Sequence, residues 1–70
     1  MTVYVLLRNV YEESYVRGVF STLEAAQAAP RARLEWKAPT FPELGDSPTW
    51  EAEHPDRHHR WSVIEEEVKA

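Results

Sequence analysis

The chain has 70 residues, eight Lys or Arg against twelve Asp or Glu, and a net charge of −4, which bounds it to one small domain. It has no cysteine, so disulfides and the commonest structural zinc ligand are excluded, and dense aromatic packing or self-association must stabilise so small a core. The acidic balance disfavours wrapping nucleic acid, whose affinity comes mainly from neutralised phosphates, and no apolar run approaches the roughly 20 residues needed to cross a bilayer.

Met1-Thr2 leads directly into a strand-like run with no basic n-region, so no signal peptide is expected. Together with the absence of cysteine, this points to a soluble, cytoplasmic protein. Charge is uneven: residues 1–37 carry a net of +1 and residues 38–70 a net of −5. The acidic half could attract a basic partner, although the same charge also serves solubility.

In chain order, Val3 to Leu7 reads as a strand, with Val3, Val5 and Leu7 alternating against Tyr4, Leu6 and Arg8. Tyr15 to Phe20 reads as a second strand, with Val16, Gly18 and Phe20 against Tyr15, Arg17 and Val19. The polar stretch between them exceeds a two-residue turn, so a longer loop, or strands that continue with a bulge, is expected. The first hairpin covers residues 2–20.

Ser21 suits an N-cap, with Glu24 three residues on completing a capping box. Leu23, Ala26, Gln27, Pro30 and Leu34 keep helical spacing, and the Ala-rich run at 25–29 favours helix. The helix is expected over about 22–35. Pro30 either ends it near Ala29 or kinks it, and Leu34 favours the kinked version continuing to about Lys37.

Residues 38–48 hold Pro39, Pro42, Gly45 and Pro48 and read as an irregular loop tethered by Phe41 and Leu44. Thr49 to His54 alternates as a strand, His54 to Arg57 suits a type I turn with Pro55 at its second position, and His59 to Val68 is the last strand. A second hairpin is therefore expected over 49–68. The chain reads as one domain over 1–70 of the α+β class: a small ββαββ unit whose antiparallel sheet carries one helix on one face.

The strands are apolar on both faces, and one helix covers one face. Tyr4, Leu6, Tyr15 and Val19 are expected on the uncovered face, with Trp50 beside them, as an apolar-aromatic contact surface. The alternative is that the proline-rich loop folds over them.

Three groups of residues are candidates for chemistry. His54, Asp56, His58 and His59 form the densest set of potential metal ligands, but their spacing matches no standard site and they also read as a polar hairpin turn. Glu65 and Glu67 share a strand face about 7 Å apart, within the range of paired glycosidase carboxylates, yet so short a chain offers little wall for a cleft. Arg31, Arg33, Trp36 and Lys37 interleave basic and aromatic residues as single-strand nucleic-acid binders do, against the chain's overall charge. No Ser lies in a nucleophile elbow, and the two glycines form no phosphate loop. No catalytic residue and no cofactor are therefore expected.

The motifs Val3-Tyr4-Val5-Leu6, Gly18-Val19-Phe20-Ser21-Thr22 and Glu24-Ala25-Ala26 resemble a group of small uncharacterised proteins of actinobacteria and their phages. Members open with a "VYVL" strand, continue through a "GVFST" strand-to-helix junction and end in a Trp-containing strand pair, which Trp50 and Trp61 fit loosely. The resemblance covers about half the chain and departs after Ala29. It implies a phage or bacterial accessory protein and carries no catalytic residue. The function expected is non-enzymatic: binding another protein, or homodimerising, through the open sheet face. Two alternatives accompany it, an acidic mimic of nucleic acid that occupies a host enzyme and a metal-binding role for the His54–His59 cluster.

Overall fold

The computed structural model describes residues 1–41, 47–56 and 58–68. Strand β1 (Thr2–Val10) and strand β2 (Glu13–Phe20) form a hairpin, helix α1 (Leu23–Ala28) follows, and β3 (Thr49–Glu53) and β4 (His59–Glu67) form a second hairpin. The sheet order is β2-β1-β4-β3 with every pair antiparallel, so the two longest strands, β1 and β4, lie side by side in the middle. The ββαββ order matches the reading of the sequence. No helix among the described residues is long and apolar enough to cross a membrane.

Of the two forms expected for the first hairpin, the structure has the second: the strands run on, and the connection is only two residues, Tyr11-Glu12. Tyr11 takes a left-handed φ of 55°, a region that favours glycine. The anticipated bulge is present. Leu6 pairs with Gly18 but Leu7 pairs with Val16, so Arg17 is an extra residue in β2. This shifts the alternation of β2 by one, and Tyr15 and Val19 end on opposite sides of the sheet. Gly18 is needed where it stands, because a Cβ there would lie 2.7 Å from the Phe20 ring.

Helix α1 is shorter than expected and capped one residue later. Thr22, not Ser21, is the N-cap, its Oγ1 accepting from the Ala25 backbone N–H at 3.2 Å. The expected capping box is therefore not formed, and Glu24 sits in the first turn, where a carboxylate favours the helix dipole. Pro30 ends the helix rather than kinking it, and Arg31 reverses the chain with a left-handed φ of 56°. Leu34 is buried by a period of two, not 3.6. Ala32, Leu34 and Trp36 turn inward while Arg33, Glu35 and Lys37 are exposed. This extended segment then runs along the outer edge of β3, where Lys37 N–H donates to the Glu51 carbonyl at 2.9 Å and Thr40 pairs with Thr49.

The core lies on the Leu6 side of the sheet. Leu6, Ala26, Trp61 and Val63 form its buried centre, with Tyr4, Phe20, Leu23, Leu34, Trp36 and Trp50 packed around it. The pairings Leu6–Val63, Trp50–Val63, Ala52–Trp61 and Tyr4–Phe20 place all the strand members on one face. Trp61 and Val63 share a face, as read from the sequence. Phe41, expected to tether the loop, is 61% exposed; Leu44, the other expected tether, lies outside the described residues.

Candidate functional site

The expected contact residues do not share one open face. Leu6 is 2% exposed and sits at the centre of the core, and Tyr4 and Trp50 pack against it with ring centroids 6.1 Å apart. Tyr15 pairs with Arg8 on that same side of the sheet, half-exposed, its hydroxyl donating to the Glu13 carboxylate. Of the five, Val19 alone lies on the face away from the helix, opposite Val5. The alternation of β1 was read correctly. The helix covers the opposite parity from the one assumed, because the large rings of Phe20, Trp50 and Trp61 all project to the Leu6 side and bury more area there.

The face away from the helix is built from Val3, Val5 and Leu7 of β1, Val16 and Val19 of β2, and Ile64 of β4, by the pairings Val5–Val19, Leu7–Val16 and Val5–Ile64. None of these six belongs to the core, and Val16 and Val19 are 64% and 59% exposed. One end of the face is polar. Ser14 Oγ donates to Asn9 Oδ1 at 2.6 Å, and Asn9 Nδ2 donates to Ser62 Oγ at 2.7 Å. Glu51, Glu53 and Arg60 complete that end, with Arg60 3.9 Å from Glu51, and Glu66 marks the other. The sequence reading missed Val3, Val5, Leu7, Val16 and Ile64. Segregation of residue type could have found them, since one parity of the strands carries the aromatic rings and the other carries only aliphatic and small polar residues in its middle.

The histidine cluster is a hydrogen-bonded chain at the far end of the covered side. His54 N–H donates to the His59 carbonyl at 3.1 Å across the Pro55-Asp56 turn; Arg57, the last position of the expected type I turn, lies outside the described residues. Asp56 Oδ2 lies 2.7 Å from His59 Nδ1 and 3.9 Å from His54 Nε2, and Oδ1 accepts the His58 backbone N–H at 2.8 Å. Arg8 donates to His59 Nε2 at 2.8 Å, and the Trp61 indole N–H donates to His54 Nδ1 at 3.1 Å.

Arginine and indole only donate, so each ring accepts at that nitrogen and holds its proton on the other. His54, Asp56 and His59 have ligand atoms within 4.8 Å of one another. A histidine bound to metal ordinarily turns its second N–H to an acceptor. Here the second nitrogens face two donors, so metal binding would break both bonds, and the arrangement does not fit an ion as it stands.

Asp56 is held below the usual carboxylate range. Its partial desolvation acts upward, but the hydrogen bond from the His58 N–H and the electrostatic interaction with His59 and His54 outweigh it. A depressed folded value means the stabilisation is complete above the ordinary value of 3.8 and disappears as pH falls through the folded value. Melting temperature followed from about pH 6 to about pH 2.5 is therefore expected to fall more steeply for the wild type than for Asp56→Asn on the acid limb. Identical slopes would show that the carboxylate contributes nothing there.

The remaining candidates disperse. Trp36 packs against the core, so its ring is not free to stack on a base, and Arg33 and Lys37 alternate with Glu35. Glu65 pairs with Tyr4 on the covered side while Glu66 pairs with Val3 on the open side, so the described carboxylates split between two faces and form no single phosphate-like row. Glu43 and Asp46, two further acids of the acidic half, lie outside the described residues. No protein-family model, curated protein or solved structure matches the chain.

Proposed function

We propose that the protein is a non-enzymatic interaction module whose contact surface is the sheet face away from the helix. The observation that carries this reading is the aliphatic row of Val3, Val5, Leu7, Val16, Val19 and Ile64, which lies outside the core, with Val16 and Val19 exposed and the other four half-buried. Covering such a row gains about 25 cal/mol for each Å² of apolar surface removed from water. The polar groups beside it are partly paired through Ser14, Asn9 and Ser62, which lowers the cost of burying them. An apolar centre with charges at its ends is the usual anatomy of a protein–protein contact. An accessory role of the kind the sequence resemblance suggests is compatible with such a module.

A photo-crosslinking amino acid tests the reading in the cells that make the protein. Placed at Val19, it is expected to yield a covalent adduct with a protein. Placed at Tyr15, on the same strand but the other side, it is expected to yield none. Absence of an adduct at Val19 would overturn the proposal.

A further inference from the structure

We infer that the occupant of this face is a second copy of the chain, stacked sheet on sheet about a two-fold axis; this rests on the interaction reading above and names its partner. The first observation is surface. A folded monomer of 8.2 kDa is expected to expose about 4500 Å², from the scaling of accessible surface with mass. This chain exposes 5386 Å². The excess, roughly 900 Å², belongs to the whole chain: Val16 and Val19 of this face share it with Met1, Tyr11, Phe41 and Val68 elsewhere, and a standard stable interface buries ~800 Å² on each partner.

The second observation is size. Strands β1 and β4 have nine residues each in a four-stranded sheet. At about 3.3 Å per residue and 4.8 Å between strands, the sheet is on the order of 30 by 20 Å in plan. Its middle carries Val, Leu and Ile with small polar neighbours, and a hollow lined by Asn9, Tyr11, Glu51, Glu53, Arg60 and Ser62 lies at its polar end. The aliphatic part can pack against another sheet as the two layers of a β-sandwich do, about 10 Å apart.

The third observation is register. A two-fold axis across the strands at the level of the Leu6–Val63 pair stacks each strand on its own copy with the ends exchanged. Leu7 then falls over the partner's Val5 and Val16 over the partner's Val19, while Ile64 meets the partner's Ser62 and Val3 the partner's Asn9. At the ends Arg60 falls over the partner's Glu66, opposite charges, and Glu51 and Glu53 lie on the edge strand β3. An axis along the strands would instead set Val16 over the partner's Glu51 and Val3 over the partner's Glu66, burying carboxylates against valines.

The test is mass in solution by light scattering from about 1 to 500 μM. It compares the wild type, a Val16→Glu/Val19→Glu double variant and Tyr15→Glu, each confirmed folded by circular dichroism. Val16 and Val19 are exposed in the single chain, so the double variant is expected to fold. The expected result is a two-fold drop in mass for the double variant alone, with Tyr15→Glu keeping the wild-type mass. A wild type that stays at the single-chain mass throughout overturns the inference. So does a dimer that survives in the double variant, or one lost in Tyr15→Glu. The crosslinker at Val19 separates the two ideas. An adduct with a different protein leaves the interaction reading standing without the second copy, whereas no adduct removes both.

Discussion

Leu6→Ala is expected to cost about 2–5 kcal/mol, the range for deleting a buried leucine side chain where the surroundings relax only partly. A 70-residue domain has roughly 4–10 kcal/mol in total, so much of the folded population is at stake. Leu6 is enclosed by Ala26 above and by Val63 beside it. Ala26 comes from a short helix and Val63 from the central strand β4, and both are fully buried. Leu7→Ala, one position on, removes the same atoms from the opposite face, where the side chain is only half-buried, and is expected to cost about 1 kcal/mol. Urea unfolding of the two variants side by side measures which parity of β1 carries the core. A larger loss for Leu7→Ala would place the helix on the wrong face.

Trp61→Ala is the second large effect, at about 3–5 kcal/mol. Trp61 is the largest member of the buried centre, and it fits because its cross-strand neighbour on β3 is Ala52, itself fully buried. Its indole N–H also donates to His54 Nδ1, tying the core to the β3–β4 connection. Packing and hydrogen bonding separate through Trp61→Phe, which keeps most of the apolar area and loses the donor. A cost of about 1–2 kcal/mol for Trp61→Phe is expected, against the full loss for Trp61→Ala. Equal urea midpoints for the two variants would mean that the bond to His54, not ring packing, dominates at this position.

Much of the fold was legible because its signals are local. Alternation in Val3–Leu7 and in Trp61–Ile64 and the helical alanine run depend on neighbours a few residues away; both alternations are found where the sequence puts them, and the alanine run is helical to Ala28. The helix cap moved by a single residue, since Ser21 and Thr22 are both competent caps and only the approach of the Ala25 N–H distinguishes them. Leu34 was misread because one apolar residue four positions past Pro30 suits a period of two as well as one of 3.6. The left-handed turn at Arg31 selects the extended path.

The open face was the harder matter. Both parities of β1 are apolar, so periodicity establishes that the faces differ without saying which one the helix covers. The bulge at Arg17 then moved Tyr15 and Val19 to opposite sides, which no alternation count through β2 could anticipate. The histidine cluster was visible as composition, but the partners that decide its chemistry, Arg8 and Trp61, lie on β1 and β4, brought in by pairing.

By itself, then, the sequence determined the elements, their order and the two-sided character of the strands, because propensity, capping and alternation act over a few residues. Which face became core and which stayed open was decided only by tertiary structure. That choice depends on the summed area that Phe20, Trp50 and Trp61 bury together once β1 and β4 lie side by side, a quantity no single segment contains.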